Sequence, residues 1–237
     1  GREGRPEGLV LRETPSLPPI MSLNPEQLGL VNRAKNAVSP FDIGACFNVA
    51  MATLKRDFLN IVLSNFVIGL VIGLVSLVGM IPFIGWIAMI LLIPPLIIGF
   101  IRFNAKCVRG QPATLGDCFS GFDVYGTSVL TYVLMILLVV VGTVLCILPG
   151  IYLAVGYAFA WNLLAERRGS AWECLEMSRQ AVTAHWGWAF LLLLVAGLLA
   201  YAGLIACIIG VFVTMPFYGL MMAAAYDRLF AEQAPQL

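Results

Sequence analysis

Residues 58–101, FLNIVLSNFVIGLVIGLVSLVGMIPFIGWIAMILLIPPLIIGFI, run for 44 positions without an Asp, Glu, Lys or Arg. A helix rising about 1.5 Å per residue crosses a hydrocarbon core of roughly 30 Å in about 20 residues. The stretch is therefore long enough for two crossings, and Gly79, Pro82 and Gly85 near its midpoint are turn residues. Two more stretches repeat the pattern: 42 residues between Asp123 and Glu166, and 47 between Arg179 and Asp227 that include His185. Their midpoints carry Leu148, Pro149 and Gly150, and Cys207 to Gly210. The spacing predicts an all-α membrane bundle of six transmembrane helices arranged as three hairpins. The crossings are expected at 58–79, 84–105, 126–147, 151–167, 187–206 and 210–229.

Composition agrees with this class. Of 237 residues, 60% are hydrophobic and 11% are charged, and the mean hydropathy is +0.92, which is the signature of a membrane protein. The 14 basic residues nearly cancel the 13 acidic ones, so no basic surface exists to neutralise a run of phosphates and nucleic acid is excluded as a partner.

A chain that crosses twice returns to the side it left. Lys55, Arg56, Arg102, Lys106, Arg109, Arg167, Arg168, Arg179 and Arg228 therefore gather on one side, and the tips between crossings have no charge. Basic residues mark the cytoplasmic face, which predicts cytoplasmic termini and outward-facing tips.

A short amphipathic segment precedes each stretch, and the three form a weak repeat registered by Cys46, Cys118 and Cys174. In the first, Ile43, Phe47 and Leu54 recur at helical spacing after Phe41, while Asp42, Asn48 and Lys55 point elsewhere. The second offers Leu115, Phe119 and Phe122, opened by Thr114 with Asp117 three residues later, close to a capping box. The third sets Trp172, Leu175 and Val182 against Glu173, Glu176 and Gln180. All three are read as helices in the cytoplasmic interface. They either pack on the bundle base or dock partners and lipids. The basic and acidic groups of this rim nearly balance, which argues against a polybasic lipid clamp.

Residues 1–38 carry Arg2, Arg5, Arg12, Pro6, Pro15, Pro18, Pro19 and Pro25 and are expected to form an extended arm. The arm has no apolar run of signal-peptide length, and Met21 is a candidate natural start, which leaves open whether residues 1–20 are native. The membrane domain is placed at 39–230, followed by a C-terminal tail at 231–237.

Chemistry-bearing residues are scarce. Six cysteines (Cys46, Cys107, Cys118, Cys146, Cys174 and Cys207) include no Cys-x-x-Cys pair, and His185 is the single histidine, so no metal site or cofactor is expected. His185 stands between Ala184 and Trp186-Gly187-Trp188, and Trp186 and Trp188 read as an interfacial aromatic anchor at the start of the fifth crossing. No nucleophile lies within a recognisable pattern with a base, and no enzyme activity is expected. Transport is harder to set aside, because the prolines in the spans read first as simple kinks and second as part of a permeation or lipid pathway. Pro94 and Pro95 remove amides from the second crossing and loosen the carbonyls of Ile90 and Leu91, and Pro216 acts similarly in the sixth. Asn65, Thr131, Asn162, Tyr201, Thr214 and Tyr218 are the polar candidates for such a path, yet the spans lack the ionisable residue that energised carriers usually keep.

Ile81-Pro82-Phe83-Ile84-Gly85, Arg109-Gly110, Leu148-Pro149-Gly150-Ile151-Tyr152-Leu153-Ala154-Val155 and His185-Trp186 together resemble a broad family of uncharacterised bacterial multi-pass proteins. The same module is similar to the membrane domain of some glycerophosphodiester phosphodiesterases. The resemblance covers roughly residues 39–230 and implies a six-helix protein of the bacterial inner membrane. It implies no site residues, and no phosphodiesterase domain or headgroup hydrolysis is expected for this chain. The leading expectation is a non-enzymatic scaffold or accessory subunit of a membrane assembly, with lipids around it and a protein partner docked on its interfacial helices and arm. The rival is a passive channel or a lipid-transporting protein.

Overall fold

Proline at a first helical position costs no hydrogen bond, and the Asn24 amide donates to Gln27 Oε1 (2.8 Å), so the chain enters α1 (Pro25–Lys35) inside the stretch expected to be an extended arm. The computed structural model describes residues 23–37, 41–81, 84–206 and 208–230, and every regular element in them is helical. Asp42 caps α2 (Ile43–Arg56) by accepting from the Ala45 amide at 3.0 Å. The first uncharged stretch becomes α3 (Phe58–Val78) and α4 (Ile84–Val108). A 3-10 helix (Leu115–Val124) leads into α5 (Tyr125–Leu145), followed by α6 (Ile147–Gly156) and α7 (Ala160–Ala165). Then come α8 (Ala171–Thr183), α9 (Trp186–Ala206) and α10 (Ile208–Phe230).

Among the described residues, four helical segments are long and apolar enough to cross a membrane: Phe58–Val78, Gly85–Val108, Leu115–Leu145 and Ile147–Ala165. The total is five if α8 and α9, which meet at a 103° bend, form one broken span. Pro82 and Cys207, at two of the expected tips, lie outside the described residues. Outward-facing Leu59, Leu70 and Leu77 on α3, and Leu130, Leu137 and Val144 on α5, present a greasy wall that water would not tolerate. Inside, Asn65 Nδ2 and Thr131 Oγ1 donate to their own helices, to the carbonyls of Ile61 (2.7 Å) and Thr127 (2.8 Å), while Asn65 Oδ1 is buried without a hydrogen-bond partner among the described residues.

Three further elements differ from the sequence expectation for identifiable reasons. The second amphipathic segment winds as a 3-10 helix, opened as expected by the Thr114 amide donating to Asp117 Oδ2 (2.8 Å). The expected fourth crossing is divided between α6 and α7. Ser178 on α8 reaches the break, its Oγ donating to the Gly156 carbonyl (2.7 Å) and accepting from the Phe159 amide (3.2 Å). The third amphipathic segment, α8, is more core than surface: Cys174, Leu175, Met177, Ala181 and Val182 are all buried.

α10 is the hub. It packs against α1, α2, α3, α4 and α9, and its Leu220, Met221 and Ala225 are fully buried. The N-terminal helix is tied to the far end of the chain. Val31 and Ala34 are fully buried, and Gln27 Nε2 donates to the Arg168 carbonyl (3.0 Å) and to Glu173 Oε2 (3.0 Å). Gln27→Ala is expected to loosen α1 by about 1 kcal/mol. Hydrogen exchange should then speed up in α1 while α3 is unaffected.

Candidate functional site at the charged end of the bundle

Two helix stops build the site. α4 ends in a Schellman arrangement: Gly110 takes φ 69°, its amide donates to the Cys107 carbonyl, and the Gln111 amide donates to the Lys106 carbonyl at 2.9 Å. α7 ends the same way with Arg167 at φ 56°, its amide donating to the Leu164 carbonyl and the Arg168 amide to the Leu163 carbonyl at 3.0 Å. A non-glycine residue in the left-handed region is uncommon. The stop it makes turns Glu166 and Arg168 toward the end of α10.

Arg109 lies at the centre. Its Nε donates to both oxygens of Asp227 (3.1 Å each), and its Nη2 donates to Asp227 and to Glu166. Glu166 also accepts from Arg168 Nε (3.1 Å) and from the Tyr226 hydroxyl (2.9 Å). Asp227 is only 2% exposed and Arg109 32%, so the carboxylate is the member left uncompensated if the pair is broken. The hydrogen bonds to Asp227 raise the Arg109 guanidinium above its ordinary value, with burial opposing and Glu166 adding to the rise. It stays protonated.

A second group sits one to two turns back along α4. Arg102 Nε donates to the Ala165 carbonyl (2.9 Å), and its Nη1 donates to the Ser120 carbonyl (2.8 Å) and to Asp123 (2.9 Å). Arg167 pairs with Asp123 as well, and Lys106 with Asp117 at 2.6 Å. Between the two groups lies a cavity of about 320 Å³ lined in part by Arg102, Lys106, Arg109, Asn162, Glu166 and Tyr226. A second cavity of about 900 Å³ lies under α1, and Arg109 and Glu166 line both.

The sequence-derived candidates fall into two sets. Phe41, Leu54 and Leu175 are buried in the core, Phe41 stacked on Phe159 at 5.7 Å. Ile43, Phe47 and Trp172 are half-buried, with Phe47 edge-on to Phe217 at 5.1 Å. Leu115, Phe119 and Phe122 are exposed on the 3-10 helix, and Trp188 is 62% exposed. Trp186 is half-buried, stacked between Tyr152 and Phe190. The pathway candidates Asn65, Pro94, Pro95, Asn162 and Pro216 are all buried. They are spread over α3, α4, α7 and α10, and of them only Asn162 lines either cavity.

Among the described residues, no group of three or more His, Cys, Asp or Glu side chains could hold a metal ion. Five free cysteines are described, four of them buried, and burial pushes the Cys46 thiol up to about 11. Cys207 lies outside the described residues.

The ion-pair collar was not foreseen. Its only sequence signal is that opposite charges close the three uncharged stretches: Arg102 and Arg109 after the first, Asp123 and Glu166 around the second, Asp227 after the third.

No protein-family model matches the chain, and no solved structure does. Three curated proteins do. The uncharacterized protein Mb2590 of Mycobacterium bovis is 24% identical over 155 residues, which cover 65% of this chain and 47% of the relative. The uncharacterized protein Rv2560 of Mycobacterium tuberculosis is 23% identical over the same length and shares. The matched region thus spans about half the length of these relatives. Their descriptions agree with a likeness to uncharacterised bacterial proteins. None of the matches links the chain to glycerophosphodiester phosphodiesterases.

Proposed function

We propose that this chain is a non-enzymatic multi-pass protein of the bacterial inner membrane, acting as a scaffold or accessory subunit. In this reading each uncharged stretch crosses twice, giving six crossings in three hairpins. The collar and both termini are cytoplasmic, and α2, the 3-10 helix and α8 lie at the interface. The observation that carries the reading is the collar itself. Arg102, Lys106, Arg109, Arg167 and Arg168 are each engaged by a carboxylate, and Leu115, Phe119 and Phe122 face outward beside them. A catalytic acid or base has to exchange its proton with a substrate. Carboxylates tied to cations in this way are suited to holding the bundle end rigid.

A rigid collar with an apolar strip is a platform. The partner is a membrane-associated protein whose apolar surface covers Phe119 and Phe122 on the 3-10 helix. Purification from native membranes in nanodiscs should yield a stoichiometric companion that is lost from Phe119→Ser/Phe122→Ser. A lone monomer, or a companion indifferent to the double substitution, contradicts the reading.

The second reading, a passive channel or a lipid pathway, is favoured by two neighbouring cavities that share Arg109 and Glu166 in their linings. It predicts ion or lipid flux in vesicles containing the purified chain, and vesicles as tight as empty ones contradict it.

A further inference from the structure

Asn162 is 4% exposed, and its side-chain amide makes no hydrogen bond to a described residue. The other two buried asparagines among the described residues behave differently. Asn65 and Asn104 donate from Nδ2 to carbonyls of their own helices, those of Ile61 (2.7 Å) and Phe100 (2.8 Å), and seal their Oδ1 atoms inside the protein. Neither amide atom of Asn162 is sealed in this way. Asn162, Ala165 and Glu166 all line the cavity of about 320 Å³, and their i, i+3, i+4 spacing puts them on one face at α7. The Asn162 amide is therefore directed into that cavity.

A polar group taken out of water without a partner opposes folding, and no bond within the described fold offsets it here. The charged lining groups are in the opposite condition. Arg102 is held by Asp123, Lys106 by Asp117, and Arg109 by Glu166 and Asp227, so the cavity presents no uncompensated charge. A second uncharged amide, that of the exposed Gln111, lines the same cavity and likewise makes no hydrogen bond to a described residue. Ile101, Ala105 and Ala165 supply an apolar wall. A carboxamide offers N–H donors and an acceptor oxygen in one plane. The uncharged group that matches it edge to edge is another amide, one whose N–H and C=O lie side by side because it is cis.

We infer that this cavity binds a small uncharged molecule bearing a cis amide edge. The edge pairs with the Asn162 amide, and the rest of the molecule lies between Gln111 and the wall of Ile101, Ala105 and Ala165. A volume of about 320 Å³ is at the small end of ligand sites, which suits a compact ring. The site goes beyond the scaffold reading and stands without it, since it needs no protein partner.

Three related probes test it. Glycine anhydride is an uncharged ring with a cis amide edge at either end, and sarcosine anhydride is the same ring with both N–H groups methylated. Glycylglycine, the opened ring, is a zwitterion. Saturation-transfer NMR on the full chain in maltoside micelles reads all three. Saturable binding of glycine anhydride is expected, with the other two weaker by about tenfold or more, the scale of leaving a buried polar group unpaired. Asn162→Leu should abolish binding. It replaces an unpartnered amide by an apolar group of similar size, so the thermal midpoint should hold or rise. Gln111→Ala alters an exposed side chain and should weaken binding about threefold with the fold intact; it remains decisive should Asn162→Leu not fold. No saturable binding of glycine anhydride, equal binding of either of the other probes, or binding unchanged by either substitution overturns the site.

Discussion

Replacing Arg109 with Gln should lower the stability of the folded protein by about 3–5 kcal/mol. The substitution leaves Asp227, 2% exposed, without the cation that both its oxygens accept from, and takes one donor from Glu166. An unpaired buried carboxylate is costly in a way that an absent pair is not. Asp227→Asn added to Arg109→Gln should therefore recover part of the loss, a coupling that a double-mutant cycle measures. Arg109→Lys keeps the charge but not the fork, and should fall between wild type and Arg109→Gln. Thermal unfolding in detergent reads these three variants and the single Asp227→Asn that completes the cycle. If Arg109→Gln unfolds no earlier than Lys55→Gln, which alters an exposed lysine, the collar does not hold the bundle end together.

Gly99→Ala should cost about 2–3 kcal/mol, toward the upper range for overpacking. A Cβ on Gly99 would stand 1.8 Å from the Cys118 carbonyl oxygen, and one on Gly121 would stand 2.0 Å from that of Pro95. The two backbones approach so closely that each needs the other's glycine, and neither obstruction is a side-chain end that could move aside. Separating the 3-10 helix from α4 would also release Arg102 from Ser120 and Asp123. The expected result is faster hydrogen exchange over residues 115–124 together with a lower unfolding midpoint. Gly73→Ala is the control, because nothing lies within 4 Å of its added Cβ. It should be neutral or stabilising by up to about 1 kcal/mol. Equal effects at the two sites contradict the close approach.

The long uncharged stretches were legible because charge exclusion and turn residues are local signals. α3 at Phe58–Val78 and α5 at Tyr125–Leu145 fall within two residues of the expected 58–79 and 126–147. α1 was hidden because Pro25 and the polar residues around it read as a tail. Its stability comes from Val31 and Ala34 packing on elements more than a hundred residues away, and from Gln27 bonding to Arg168 and Glu173. The break between α6 and α7 depends on Ser178, one serine in a helix of unremarkable pattern. The amphipathic periods around Phe41, Leu54 and Leu175 were visible, but periodicity does not say whether an apolar face meets solvent, lipid or another helix. The structure puts these three in the core and leaves Leu115, Phe119 and Phe122 outside. The collar was illegible for a simpler reason. Arg109, Glu166 and Asp227 are far apart in sequence, and a count of nearly balanced charges does not reveal that they are paired.

The central claim is that each uncharged stretch doubles back, so that the tips and the collar face opposite compartments. Cys146, exposed at the turn between α5 and α6, reports on a tip, while Cys46, Cys107, Cys118 and Cys174 are buried and should stay silent. In a Cys207→Ser background in intact spheroplasts, a membrane-impermeant maleimide should label Cys146 before lysis. A Lys55→Cys variant, placing a new thiol at an exposed position near the collar, should gain label over that background only after lysis. Cys146 reacting only after lysis, or the introduced thiol reacting before it, contradicts the topology.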